Sequence, residues 1–87
     1  MAPPRVLKLR DVRRIFATFG ITMFRGKQRG HRRPAHWLLC HPDGRKYPIP
    51  AHGENADIRR VYVEAARRKF DLAAEDGVTD DEFYRRR

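Results

Sequence analysis

The 87-residue chain holds a single cysteine, Cys40, which excludes an internal disulfide framework and fits a reducing compartment. No apolar run approaches the ~18–20 residues of a membrane span. The opening Met-Ala-Pro-Pro-Arg lacks the apolar stretch of a signal peptide. The expectation is a cytoplasmic domain with no membrane partner. Acidic residues are nearly missing from the first part of the chain, where residues 1–35 carry ten Lys and Arg against Asp11 alone. Residues 36–87 carry ten of each sign, so the whole formal charge of +9 belongs to the first 35 residues. Such asymmetry is the footprint of a phosphate-binding surface, because cations that neutralise phosphates release condensed counterions. An anionic membrane fits less well, since the apolar faces beside those charges are needed for the core. No internal repeat or low-complexity segment is visible. At this length only about two-thirds of the chain's surface can be buried, so residues 1–87 are read as one domain.

Val12, Ile15, Phe16 and Phe19 fall at i, i+3, i+4 and i+7, one stripe of a helix over roughly Lys8 to Phe19. Gly20 stands where a helix-ending glycine belongs. Residues 1–7, with Pro3 and Pro4, read as irregular. Ile21–Arg25, Ala35–Cys40 and Arg45–Ile49 read as three strands. The first two are joined by a basic loop, and the last two by the turn His41-Pro42-Asp43-Gly44. Pro48 cannot donate to a ladder, which assigns its strand to a sheet edge. A second helix begins near Asn55 or Asp57, with Ile58, Val61, Tyr62 and Ala65 as its buried stripe, and ends near Phe70 or runs on to Glu75. Thr79-Asp80-Asp81-Glu82 has the form of a capping box, opening a short helix anchored by Phe83. The fold class is α+β, in the order α-β-β-β-α. A three-stranded antiparallel sheet has two helices on one face, with a core over 8–75 and a C-terminal extension over 78–87.

Strand parity puts residues 36, 38 and 40 on one face and 37, 39 and 41 on the other. Trp37 and Leu39 are the better core pair, so His36 belongs to the solvent face. Leu38 and Cys40 then share that face as an apolar strip, which points to a covering partner or to the C-terminal segment. Zinc is a rival explanation for His31, His36, Cys40 and His41. However, the parity of His36 and His41 sets them apart, and no paired tetrahedral ligand motif appears. Cys40 has no nucleophile motif around it. The acidic residues Glu75, Asp76, Asp80, Asp81 and Glu82 read as a solvated face, or as a dock for a basic partner or the chain's own basic surface.

The run Pro34-Ala35-His36-Trp37-Leu38-Leu39-Cys40-His41-Pro42-Asp43-Gly44, followed by Ile49-Pro50-Ala51-His52, resembles the HicA family of RNA-cleaving toxins from toxin–antitoxin pairs. Upstream, Phe19-Gly20-Ile21 resembles the end of that family's first helix. Downstream, Gly77-Val78-Thr79-Asp80-Asp81-Glu82-Phe83 resembles the tail that some members carry. The resemblance covers roughly residues 9–83. Pro34-Ala35 replaces the family's Gly-Ser, and Trp37 replaces its second histidine. The resemblance implies a double-stranded-RNA-binding-domain-like fold and metal-independent cleavage of mRNA without a cofactor. It also implies His36 as general acid/base and a HicB-like antitoxin as protein partner. Histidine suits that chemistry because its pKa lies near working pH.

Candidate RNA-binding residues are Arg10, Arg13 and Arg14 on the first helix, Lys27, Arg29, Arg32 and Arg33 on the loop, and Arg45 and Lys46 on the third strand. His52 is an auxiliary acid/base candidate. A non-catalytic RNA-binding module of the same fold is the alternative reading.

Overall fold

The computed structural model describes residues 6–25, 36–51, 53 and 55–86, with His36 described by its backbone. A short strand β1 (Val6–Lys8) runs without a break into helix α1 (Leu9–Thr18). Leu9, Val12, Ile15 and Phe16 form the buried stripe of α1, all fully shielded from solvent. The helix ends as its sequence requires: Gly20 has φ +80 and its N–H bonds the carbonyl of Ala17.

Strands β2 (Thr22–Arg25), β3 (His36–Cys40) and β4 (Lys46–Pro50) form an antiparallel sheet in the order β2-β3-β4. Pro48 therefore lies on an edge strand. The β3–β4 turn is closed by the His41 N–H to the Arg45 carbonyl at 2.8 Å, and by the Gly44 N–H to the His41 carbonyl at 3.0 Å. Within it the Asp43 carboxylate accepts the Arg45 N–H at 3.0 Å. That backbone bond, followed by the Arg45 guanidinium, holds the Asp43 carboxyl below its ordinary pKa.

Met23, Leu39 and Ile49 bury one sheet face, with Trp37 and Tyr47 packed beside them. Against that face lie α1, which touches β2, and helix α2 (Arg60–Lys69), which touches β4. Both helices are thus on one side of the sheet, an α+β arrangement.

Three expectations are corrected. Residues 6 and 7 are not irregular, because β1 pairs antiparallel with β5 (Asp57–Arg59), Leu7 opposite Ile58, and both side chains are buried. The second helix starts at Arg60 rather than at Asn55 or Asp57, because 57–59 are spent in that ladder. Its buried face is Val63, Ala66 and Arg67, while Val61 and Tyr62 are exposed. Of the two ends expected for this helix, the one near Phe70 holds: it stops at Lys69, because Asp71 turns into the left-handed region at φ +58.

The structure also holds a repetition that is not visible in the sequence. Residues 6–21 and 57–72 are one local structure used twice: a three-residue strand, a ten-residue helix and a left-handed stop. Lys8 and Arg59 enter their helices with φ, ψ of −71, 146 and −66, 141. Phe19 and Phe70 leave them with −98, 10 and −102, 14. Gly20 matches Asp71, and the Ile21 N–H bonds the Phe16 carbonyl as the Leu72 N–H bonds the Arg67 carbonyl. The two strands pair about Leu7 and Ile58, so the units are related by an approximate two-fold axis through that pair.

At the position of buried Phe16, the second unit has Arg67. Its guanidinium donates to Glu64 at 3.1 Å, Asp80 at 2.7 Å, and the carbonyls of Leu72 and Val78 at 3.0 and 2.8 Å. Burial disfavours its charge, but the Asp80 bond and the Glu64 carboxylate more than offset that and hold it protonated. A single 3-10 turn (Ala74–Asp76) then leads to α3 (Asp80–Tyr84), which Thr79 caps by accepting the Glu82 N–H at 3.1 Å. Phe83 is fully buried, edge-on to Phe16 at 5.3 Å and stacked on Phe19 at 5.7 Å. Residues 78–86 therefore contribute to the core.

Candidate nucleic-acid interface

The sheet face turned away from the helices is built by strand parity. Thr22, Cys40 and Lys46 form one cross-strand row, and Phe24, Leu38 and Pro48 form the next. His36 opens β3 at the register position opposite Pro50, on the parity of Leu38 and Cys40. Thr22, Phe24, Lys46, Pro48 and Pro50 are exposed, and Leu38 and Cys40 are half-buried. Phe24 is the large apolar side chain exposed on this face among the described residues, at 56%. The C-terminal segment does not cover this face, because α3 packs through Phe83 onto Phe16 and Phe19 on the helical side.

The basic candidates divide into separate groups. Arg10, Arg13 and Arg14 are exposed on α1, with Arg10 donating to the Asn55 side chain at 3.3 Å. Because α1 lies behind the sheet, these arginines and the uncovered sheet face are on different sides of the molecule. Lys46 is exposed on the sheet face itself, and Arg25 is exposed at the end of β2. Lys27, Arg29, Arg32, Arg33 and His52 lie outside the described residues, as do Pro34 and Ala35. By chain connectivity the basic segment 26–35 leaves β2 at Arg25 and enters β3 at His36.

Arg45 is engaged elsewhere. Its guanidinium bonds the Asp43 carboxylate at 2.7 Å, Asp71 at 2.9 Å and the Lys69 carbonyl at 2.8 Å. Those bonds, Asp43 first, raise its pKa and tie the β3–β4 turn to the end of α2. His41 is part of the same cluster. Its Nδ1 accepts the Asp43 N–H at 3.1 Å and lies 2.9 Å from the carboxylate, and its ring stacks on Phe70 at 5.9 Å. Arg45 is thus a structural clamp, which leaves Lys46 as the β4 cation open to a ligand.

Phe24 went unnoticed in the sequence although it alternates with buried Met23. The signal available was the same parity that assigned His36 its face. Among the described residues no group of three or more His, Cys, Asp or Glu side chains is placed to hold a metal ion. Among them also, no helix is long and apolar enough to cross a membrane. The acidic C-terminal residues are largely paired: Asp80 with Arg67 and Arg60, Asp81 with Arg85, Glu82 with Arg86. No protein-family model, curated protein or solved structure matches this chain.

Proposed function

We propose that the chain is a metal-independent endoribonuclease of the HicA type, a cytoplasmic toxin with a double-stranded-RNA-binding-domain-like fold that cleaves mRNA. One observation carries the reading: β3 begins at His36, where the chain's basic first 35 residues meet a sheet face left open among the described residues. In this mechanism His36 takes the proton of a ribose 2′-hydroxyl. The freed oxygen attacks the adjacent phosphorus as the bond from phosphorus to the 5′-oxygen of the next nucleotide breaks, that oxygen taking a proton from water, giving a 2′,3′-cyclic phosphate. General acid–base catalysis of this kind supplies roughly 10²–10⁴-fold. Nearby cations stabilise the charge that develops on the phosphoryl oxygens. A HicB-like antitoxin would mask the site by covering the face.

A second reading is a non-catalytic RNA-binding module. It is favoured by the exposed arginines of α1, which bind phosphates without chemistry. The test compares purified wild-type protein with His36→Ala, first confirming by circular dichroism that the variant folds. Loss of RNA cleavage and of growth arrest in the variant supports the toxin. Equal activity in the two overturns His36 as catalyst. Salt-sensitive RNA binding without cleavage by the wild type establishes the module instead.

A further inference from the structure

The uncovered sheet face has the relief of a stacking platform. Among the described side chains Phe24 is the one aromatic ring on that face, 56% exposed, with half-buried Leu38 directly opposite and exposed Pro48 beyond it. A tight protein interface centres on clustered apolar anchors that fill pockets. An exposed ring beside the half-buried Leu38, with no second large apolar anchor exposed on this face among the described residues, instead matches one planar base. The remaining large exposed apolar side chains, Val6, Val61 and Tyr62, belong to the paired strand–helix units and not to this face. Phe24 is also the diagonal neighbour of His36 across the β2–β3 ladder, and such neighbours lie about 7–8 Å apart, within reach of an aromatic side chain.

We propose that this face binds single-stranded RNA, with Phe24 stacking on one base so that the adjoining ribose and phosphate lie at His36. The proposal rests on the RNA reading above and narrows it to unpaired substrate. An A-form duplex keeps its bases stacked inside and offers none to the ring, whereas single-stranded RNA splays bases onto aromatic side chains. Charge agrees, since Lys46 lies on the same face, Arg25 at its end, and the chain's formal charge is +9. A second copy of so cationic a chain would add like charge to the interface.

The test uses full-length His36→Ala protein, so that the RNA survives, and compares it with the same protein carrying Phe24→Ala or Phe24→Trp. Fluorescence anisotropy reads affinity for a labelled oligouridylate and oligoadenylate of about ten nucleotides, within the usual site size, and for a duplex of equal length. The expected result is a five- to roughly hundredfold weaker Kd for both single strands on Phe24→Ala, the range of one lost stacking contact. Phe24→Trp retains the affinity and duplex binding is unchanged. Single-strand binding indifferent to Phe24→Ala overturns the platform while leaving RNA binding intact. Duplex preferred over single strand also overturns it. No RNA binding by any form removes the functional reading itself. A dimer that Phe24→Ala converts to monomer, with RNA binding unaltered, reassigns the face to self-association.

Discussion

The side chain of Arg67 is 1% exposed, and it satisfies two carboxylates and two carbonyls while its guanidinium lies 4.5 Å from the Phe83 ring centre. Removing Arg67 takes a donor from the Leu72 and Val78 carbonyls and leaves the part-exposed Glu64 and Asp80 with Arg60 as remaining cation, so the cost falls at the low end for a broken buried pair, about 3 kcal/mol. Arg67→Met should therefore lose that much in urea denaturation, a large share of a small domain's total stability. Adding Glu64→Met should recover part of the loss by removing the stranded carboxylate, and a double-mutant cycle measures the coupling. Tyr84 belongs to the same cluster and donates to Glu64 at 2.9 Å. Burial first, then that bond to a carboxylate, push its pKa up from 10.0 to about 12. In the folded state the phenol keeps its proton where the unfolded chain releases it. Its contribution is complete below pH 10 and is lost as pH rises through about 12. Tyr84→Phe should flatten the alkaline limb of the stability profile, and ultraviolet titration of tyrosinate should lose its step near 12.

Two strand–helix units placed about the Leu7–Ile58 pair explain why some elements were legible in sequence and others were not. In α1 every buried position is apolar, so the 3.6-residue period reads directly. In α2 the core position is Arg67, and exposed Val61 and Tyr62 supply a false stripe displaced by about one residue, roughly 100° round the helix. The β1–β5 ladder joins residues far apart along the chain, Val6 with Arg59, which no local pattern reports, and Asn55 and Asp57 look like helix caps as a result. The turn at 41–44, the edge strand and the Thr79 cap were legible because each rests on local chemistry. The face of His36 followed from parity, but the separation of the α1 arginines from that face depends on packing. The two helix stops allow a direct comparison. A Cβ at Gly20 would meet nothing within 4 Å, so only its φ of +80 penalises a side chain there. Gly20→Ala should cost about 1–2 kcal/mol, and Gly20→Asn distinctly less, because Asn visits the left-handed region more readily. At Asp71 the order should match, with Asp71→Gly better tolerated than Asp71→Ala. The Arg45 ion pair, lost equally in both, is exposed and worth little. Urea midpoints of the four variants check the ranking.

For the molecule as a whole, the decisive feature is that the α1 arginines and the open sheet face are not on one surface. Arg10, Arg13 and Arg14 lie on a helix behind the sheet, and Phe24 and Lys46 lie in front of it. RNA long enough to pass round the edge engages both, while a fragment of about four nucleotides, the smallest usual site on such a platform, fills the front alone. Each phosphate neutralised on a single strand contributes about 0.7 to the slope of log affinity against log salt. Replacing Arg10, Arg13 and Arg14 together by Gln should thus lower that slope by up to about two for long RNA, and leave the short fragment's affinity and slope unchanged. Phe24→Ala should act in the complementary way, weakening both lengths with the slope preserved, because stacking releases no counterions. Anisotropy titrations of the two RNA lengths at several salt concentrations separate these effects. A triple variant that weakens the short fragment as strongly as the long one would put the primary contact on α1, and RNA would then be held from the helical side of the sheet.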